Sequence, residues 1–442
     1  MHTITADPTV RAPVSNRPIS RGGGADHGEF PAERKQPGAM RQPPLSSRHS
    51  VAARPLVPCR ASVSYDSRPE NPSCRPSPVE RGCRMRSVGV EEELLLVDPY
   101  SGEPRAVAGT VLASTPHDST LDKELHREQL EIATRPRTLI EDLAEEVGRW
   151  RGEAAHRARR AGTELAALAT SPLPVTPSLS VDERYQRLEE EFGRTAQEQL
   201  ACGCHIHVAV ESDDEGVAVL DRIRPWLPTL LALSANSPFW QGKDTRYSSY
   251  RSRVWGRWPS SGPMEPFGSA ENYHRRVQEM LATGTLLDEG MIYFDARLSR
   301  HYPTVEIRVA DVCLQSDDTV LLAALTRGLV ETAARAWRAG EPPDSAGIGL
   351  LRLATWRAGR SGLSGRLVHP LTWTPAPAEA VVRALLDHVS EALEDIGDLA
   401  LAKEGLDTLM GRGNGAQVQR ELLARTGDLR SVVGECVRRT AA

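Results

Sequence analysis

The stretch Val88-Gly89-Val90-Glu91-Glu92-Glu93-Leu94-Leu95-Leu96-Val97 sets three consecutive glutamates inside an aliphatic run. Its composition predicts a strand, closed by the turn-formers Asp98-Pro99-Tyr100-Ser101-Gly102. Alternation puts Glu91 and Glu93 on one face with Gly89, and Glu92 on the other with Val90, Leu94 and Leu96. Two carboxylates side by side on one sheet face repel, and burying them unpaired is costly. A divalent metal between them resolves the repulsion. The alternative is a solvated edge strand with acidic gatekeepers.

The chain has 442 residues and a net charge of −5, which gives no global electrostatic case for nucleic acid. No apolar run is long enough to cross a bilayer. Seven cysteines at scattered spacing read as reduced thiols in a cytoplasmic protein. Heavy use of Ala, Arg, Gly and Pro with little Lys points to a bacterial source. Residues 1–84 are rich in Pro, Arg, Ser and Gly and hold no periodic apolar run, so they read as a disordered leader. Met85 opens directly before the strand and is the expected natural start, with residues 85–442 as the folded domain.

Residues 102–120 read as turns and a short strand pair. Glu124, Glu128 and Glu131 would share one stripe of a helix. The preferred reading is a strand over 129–134, with Glu124 in the segment before it. Residues 138–162 predict an amphipathic helix with Leu139, Leu143, Val147, Trp150 and Ala154 on its apolar face. A short buried strand over 164–170 and a polar helical stretch over 182–199 follow.

Ala201 to Val210 is the second informative strand. Cys202-x-Cys204 followed by His205-x-His207 invites a zinc reading. Strand parity opposes it, since the cysteines share one face and the histidines the other. The cysteines then read as core, while His205 and His207 line whatever the opposite face binds. A helix bent at Pro225 and Pro228 spans 213–236. Residues 240–260 read as a long loop dense in arginine and aromatics, a lid candidate in which Arg251 and Arg253 could clamp a phosphate or a carboxylate. A helix covers 271–283, and strands cover 291–298 and 304–309. In the last, Glu306 and Arg308 share a face, either as a plain ion pair or as a metal ligand beside a phosphate-neutralising arginine. Helices over 318–339, 349–357, 378–410 and 417–439 complete the chain, with Gly411-Arg412-Gly413-Asn414-Gly415 as a flexible link.

Acidic faces on the strands of Glu91 and Glu93, of Glu131 and of Glu306, with the imidazole of His205 on a fourth, favour Mg²⁺ or Mn²⁺ over zinc. No P-loop, dinucleotide glycine motif or His-Glu-x-x-His is present. Together Gly89-Val90-Glu91-Glu92-Glu93, Glu131-Ile132-Ala133-Thr134, Gly203-Cys204-His205-Ile206-His207-Val208, Asn236-Ser237-Pro238-Phe239-Trp240-Gln241-Gly242 and Glu306-Ile307-Arg308 resemble the glutamate–cysteine ligase family 2. These are carboxylate–amine ligases related to glutamine synthetase, and the likeness spans about residues 87–440.

The resemblance implies an α+β fold: a curved, mostly antiparallel sheet with a concave active-site face, wrapped by helices. It implies ATP as substrate with Mg²⁺ or Mn²⁺, small-molecule partners (glutamate and an amine such as cysteine) and a homodimer. Carried onto this chain, Glu91, Glu93, Glu131, His205 and Glu306 become metal ligands. Glu306 and Arg308 become the catalytic pair, with Arg308 on phosphate. Arg251, Arg253, His207 and Glu124 become ATP or substrate contacts. Arg246 departs from the pattern by standing where a small residue is expected. A metal-dependent hydrolase and a non-catalytic binding protein on the same fold are the competing readings.

Overall fold

The computed structural model describes residues 85–113 and 120–441. The leader reading, and the middle of the 102–120 reading, lie outside those residues. In chain order come β1 (Val88–Val97), α1 (Ala108–Leu112), β2 (Leu121–Lys123), β3 (Gln129–Ala133), α2 (Ile140–Arg160) and β4 (Glu164–Ala166). Then follow α3 (Glu183–Phe192), α4 (Arg194–Gln197), β5 (Gly203–Ala209), α5 (Asp213–Ile223) and α6 (Leu227–Ser234). After these come β6 (Phe239–Trp240), β7 (Lys243–Asp244), α7 (Arg251–Trp255), α8 (Ala270–Ala282), β8 (Ala296–Leu298) and β9 (Thr304–Asp311). The rest comprises α9 (Ser316–Arg338), α10 (Ile348–Ser361), β10 (Arg366–Val368), β11 (Pro375–Pro377), α11 (Ala378–Ile396), α12 (Leu399–Arg412), α13 (Gly415–Thr426) and α14 (Leu429–Thr440).

Seven strands form one antiparallel sheet in the order β2-β3-β1-β5-β9-β8, with β4 on β1 beside this path. The acidic strand β1 is therefore central. It cannot leave its carboxylates in water as an edge strand would. Val88, Val90, Cys204, Ile206, Val208, Val305 and Ile307 all turn to one side and are buried there, in the core that also takes up much of α5, α6, α9 and α11. Each such aliphatic side chain contributes about 1.5–3 kcal/mol on burial. Leu94, Leu96, Leu130 and Ile132 enter a second core, shared with Ala154 and Ala158 of α2 and Val432, Val433 and Cys436 of α14. Cys202, Cys204, Cys313 and Cys436 are free and buried, as the parity argument requires of the first two.

Glu92 points into the apolar side and is neutralised there by Arg151 of α2, with Nε–Oε2 at 2.8 Å and Nη2–Oε1 at 2.6 Å. Thr319 of α9 donates to the same carboxylate at 2.6 Å.

Several sequence readings are corrected. Residues 108–112 form a short helix where a strand was expected. The strand over 291–298 shrinks to Ala296–Leu298, preceded by a 3-10 turn at Glu289–Met291. The helices over 378–410 and 417–439 are each two, broken at Gly397 and Gly427, which adopt the left-handed conformation that glycine favours. Leu139 lies outside α2 and is 48% exposed, because the helix begins one residue later. The link at 411–415 is not slack. Asn414 caps α13 with a full capping box, its amide donates to Ala232 O, and a Cβ on Gly415 would lie 2.0 Å from Asn236 Oδ1. Residues 240–260 are likewise no open loop. They hold a β6–β7 hairpin and α7, with Arg251, Val254 and Trp258 packed inside, which leaves the lid reading without support. Arg246, where a small residue was expected, sits at φ 63°. No described helix is long and apolar enough to cross a membrane.

Candidate active site

Cross-strand register decides which acids meet. Glu93 pairs with Glu131, Glu91 with His205, and Gly89 with His207. His207 pairs in turn with Glu306, and Glu306 with Arg297. Directly paired residues carry Cβ atoms about 4.5–5.5 Å apart. One row of ionisable groups therefore crosses β3, β1, β5, β9 and β8 on the face opposite the main core. The helical alternative for 124–131 falls, because Glu128 leaves this face and accepts from Ser178 N at 3.0 Å.

The row lines adjoining cavities. Glu91, Glu93, Glu124, Glu131, His205 and Arg308 border one of about 230 Å³, roofed by Arg184, Tyr185, Trp255 and Tyr293. Glu91, His207, Glu306 and Arg297 border the next, of about 140 Å³. A third, of about 480 Å³, opens beyond Glu91 and His207 between Gly89, Thr134, Pro136 and Tyr302. Eight of the ten predicted residues thus converge. Arg251 and Arg253 do not join them: they line a separate cavity of about 420 Å³, which touches the first only at Trp255 and Arg308.

The charges are unevenly satisfied. Burial alone would raise the Glu91 carboxyl, but His205 and His207 outweigh it and hold Glu91 well below the usual range. His205 Nδ1 is 3.4 Å from Glu91 Oε2, and His207 Nε2 is 3.3 Å from Glu91 Oε1. Burial and then Arg308 push the His205 imidazole down. For His207 burial acts downward, and the contact with Glu91 reverses it, so its imidazole is raised. Glu306 would also be raised by burial but is held low by Arg308 and Arg297, both of which it pairs with. For Glu124 the Leu125 backbone hydrogen bond and the charges of Arg308 and Arg184 act downward but are outweighed, and Glu131 is crowded by other acids. Burial and then the charge of Glu93 push Glu124 up to about 8, and burial with Glu124, Glu91 and Glu93 raises Glu131 well above the ordinary value.

Two features fit divalent cations. One ligand atom each from Glu91, His207 and Glu306 lies within 4.8 Å of the others, a spacing for one ion. The Glu93, Glu124 and Glu131 side is acidic in excess, and a cation there would relieve the repulsion that raises Glu124 and Glu131. Both imidazole Nε2 atoms are buried without a well-aligned hydrogen bond. Carboxylate oxygens with a single imidazole suit Mg²⁺ or Mn²⁺. Among the described residues the three-residue cluster contains His207, which the resemblance gave to substrate, while His205, which it gave to metal, lies between Glu91 and Glu93. Register accounts for this: His207 stands directly opposite Glu306, whereas His205 falls at the bulge between β5 and β9 and has no paired residue on β9.

Sequence reasoning missed Arg297, Arg184, Tyr293 and Asp295. Arg297 donates to Glu306 at 2.7 Å, and the alternation Ala296-Arg297-Leu298 beside a partner strand was its available signal. Arg184 is held by Asp288 and carries no local motif.

The fold brings together an acid-rich sheet face, a buried arginine at its edge and adjoining cavities, and the relatives make this the site of an ATP-dependent carboxylate–amine ligase. The family model for glutamate–cysteine ligase family 2 matches residues 87–435. The chain is 63% identical over 360 residues to "Putative glutamate–cysteine ligase 2-1" of Streptomyces avermitilis, covering 80% of this chain and 99% of the relative. It is 62% identical over 362 residues to "Putative glutamate–cysteine ligase 2" of Streptomyces coelicolor, covering 81% of this chain and 100% of that relative. The chain belongs to the glutamate–cysteine ligase family 2. Among solved structures, the glutamate–cysteine ligase of Francisella tularensis in complex with AMP shares the fold at TM-score 0.59 and 13% identity, covering 81% of this chain and 89% of that one.

Proposed function

We propose that the enzyme joins the γ-carboxylate of glutamate to an amine, cysteine being the acceptor named in its relatives, with ATP cleaved to ADP and phosphate. The observation that carries this is the single row of Glu131, Glu93, Glu91, His205, His207 and Glu306 on one sheet face, with Arg308 at its edge. The 480 Å³ cavity beyond His207 is the roomier and less charged end of the trench, and it is assigned to the nucleoside of ATP. Glu91, His207 and Glu306 would hold one divalent ion, and Glu93, Glu124 and Glu131 another. Bound cations supply neutralisation of phosphate charge during transfer.

The chain's own groups do the rest. A donor carboxylate oxygen attacks the γ-phosphorus, the bond to the β-phosphate oxygen breaks, and ADP leaves. Arg308 steadies the moving phosphoryl group. Its guanidinium is anchored by Glu306, and its Nε is buried without a partner, so a donor stands free for a phosphoryl oxygen. Tyr185, Trp255 and Tyr293 roof the site, which limits hydrolysis of the acyl phosphate. The amine then displaces phosphate from the acyl carbon.

The test is ADP and phosphate formation by the full chain with ATP and Mg²⁺, offering glutamate alone and then with a panel of amines including cysteine. Turnover that requires both glutamate and one amine supports the reading. Absence of glutamate-dependent turnover with every amine overturns it.

A further inference from the structure

The 420 Å³ cavity outside the trench holds charges that nothing in the fold uses. Arg251 is 2% exposed, yet among the described residues its side chain makes no ion pair and its buried Nε has no hydrogen-bond partner. Its Nη2 lies where a Cβ on Gly203 would be 2.2 Å away, so a glycine is what admits it. Asp311, the acid whose charge it senses, spends its oxygens on Ser249, Ser237 and Asn236 N. Burying an unpaired guanidinium is expensive, and an anion arriving in the cavity offsets that cost.

Asp295 lines the same cavity from the other charge class. Its backbone is fixed, since its carbonyl accepts from Arg308 N at 3.0 Å and its amide donates to Gly262 O at 3.0 Å. Its carboxylate has no ion pair or hydrogen bond among the described residues. The charged groups facing it are Arg251 and Arg253 from α7, Arg352 from α10 and Arg308 from β9. Trp255 and Trp356 supply flat apolar walls, and Trp255 stacks between Arg251 and Arg308, at 5.5 and 5.4 Å from their guanidinium carbons.

We propose that this cavity is the subsite of the amine acceptor, that the acceptor is a zwitterionic amino acid whose carboxylate Arg251 receives, and that Asp295 takes the proton from its ammonium. The inference rests on the ligase reading. A cavity offering one free carboxylate and a free guanidinium complements an amine that carries its own carboxylate, and not a simple alkylamine or ammonia. Position supports it too. Trp255 and Arg308 border both this cavity and the acidic one, so an amine leaving Asp295 meets the acyl group beside Arg308.

Glu91 and Glu306 are paired with histidines and arginines, whereas Asp295 makes no ion pair among the described residues. Burial raises its carboxyl to about 7, near the value a base needs at neutral pH. The step balances. The ammonium gives one proton to the Asp295 carboxylate, and the freed nitrogen pair attacks the acyl carbon. The carbon–oxygen bond to phosphate breaks, phosphate leaves with that electron pair, and the second nitrogen proton goes to the departing phosphate.

The test uses the full chain with ATP, Mg²⁺ and glutamate. Acceptors are the standard L-amino acids, the amine lacking the carboxylate of each that is ligated (cysteamine against cysteine), and hydroxylamine. Hydroxylamine is neutral at pH 7 and needs no base. The wild type should form glutamyl hydroxamate and should prefer an amino acid to its decarboxylated amine by at least ~10-fold in kcat/KM, a preference that Arg251→Met removes. Asp295→Asn should lower kcat/KM for the amino acid by about 100-fold at pH 7, a deficit that shrinks as pH rises, while still forming hydroxamate. Failure of the wild type to form hydroxamate in a glutamate-dependent way would refute the ligase reading itself. Hydroxamate formation with no preference for the carboxylate would refute the zwitterion assignment. Loss of hydroxamate formation in Asp295→Asn would place Asp295 in the phosphoryl half of the reaction and overturn its role here.

Discussion

Removing Arg151 tests the logic that divides the triple glutamate between two faces. Arg151 and Glu92 are 1% and 2% exposed, on the side of β1 away from the trench. Arg151 also donates to the carbonyls of Cys313 at 2.8 Å and Leu314 at 3.3 Å, tying α2 to the start of α9. In Arg151→Met the carboxylate keeps only its Thr319 hydrogen bond and must stay charged without a cation, or take up a proton. Breaking a pair this deeply buried costs about 3–5 kcal/mol. For a folded region of this size that lowers Tm by roughly 5 °C. Replacing both partners, as in Glu92→Leu with Arg151→Met, should recover most of the loss, because no lone charge then remains. Urea unfolding followed by circular dichroism measures each difference. A single variant within about 1 kcal/mol of wild type would show that Glu92 is not dependent on Arg151, and would remove the reason for its facing inward. Neither side chain reaches the cavities, so the folded fraction of the double variant should keep its turnover.

Glu306→Gln should abolish Mn²⁺-induced thermal stabilisation and lower ligation by at least ~100-fold while the sheet still folds; a wild-type response to Mn²⁺ would remove Glu306 from the ligand set. In the presence of a chelator, stability should fall as pH rises. The folded protein holds the Glu124 proton up to about 8 whereas the unfolded chain releases it near 4.5, so the contribution is complete below 4.5 and gone above 8. Glu124→Gln should remove a fall of about 5 kcal/mol across this window (about 3.5 pH units at about 1.4 kcal/mol each), and an unchanged pH dependence in urea titrations would contradict the crowding of acids described above. Arg246→Gly should stabilise by about 1 kcal/mol, because it relieves a left-handed residue at φ 63°; a lower Tm would show that the Arg246 side chain does more than tolerate its backbone.

What the sequence by itself determined was local and periodic. The alternation in Val88–Val97 separated Glu91 and Glu93 from Glu92, and the same parity at 202–208 sent the cysteines to the core and the histidines to the site. Such divisions depend only on the two-residue repeat of a strand, which one segment carries alone. The order of motifs was equally legible and fixed the family, because each motif is a contiguous run of residues.

Tertiary structure decided everything that needs two distant segments to meet. The pairing of β5 with β9 set His207 directly opposite Glu306, and so into the cluster with Glu91, since register is a property of a strand pair. The partner of Glu92 lies 59 positions away on a helix, and no spacing rule reaches it. Arg251 reads in the sequence as one of several loop arginines, yet packing sends it under Gly203 into a cavity of its own, beside an aspartate that no motif marks. Burial gives these charges their chemistry, and burial is set by what the rest of the chain packs around them.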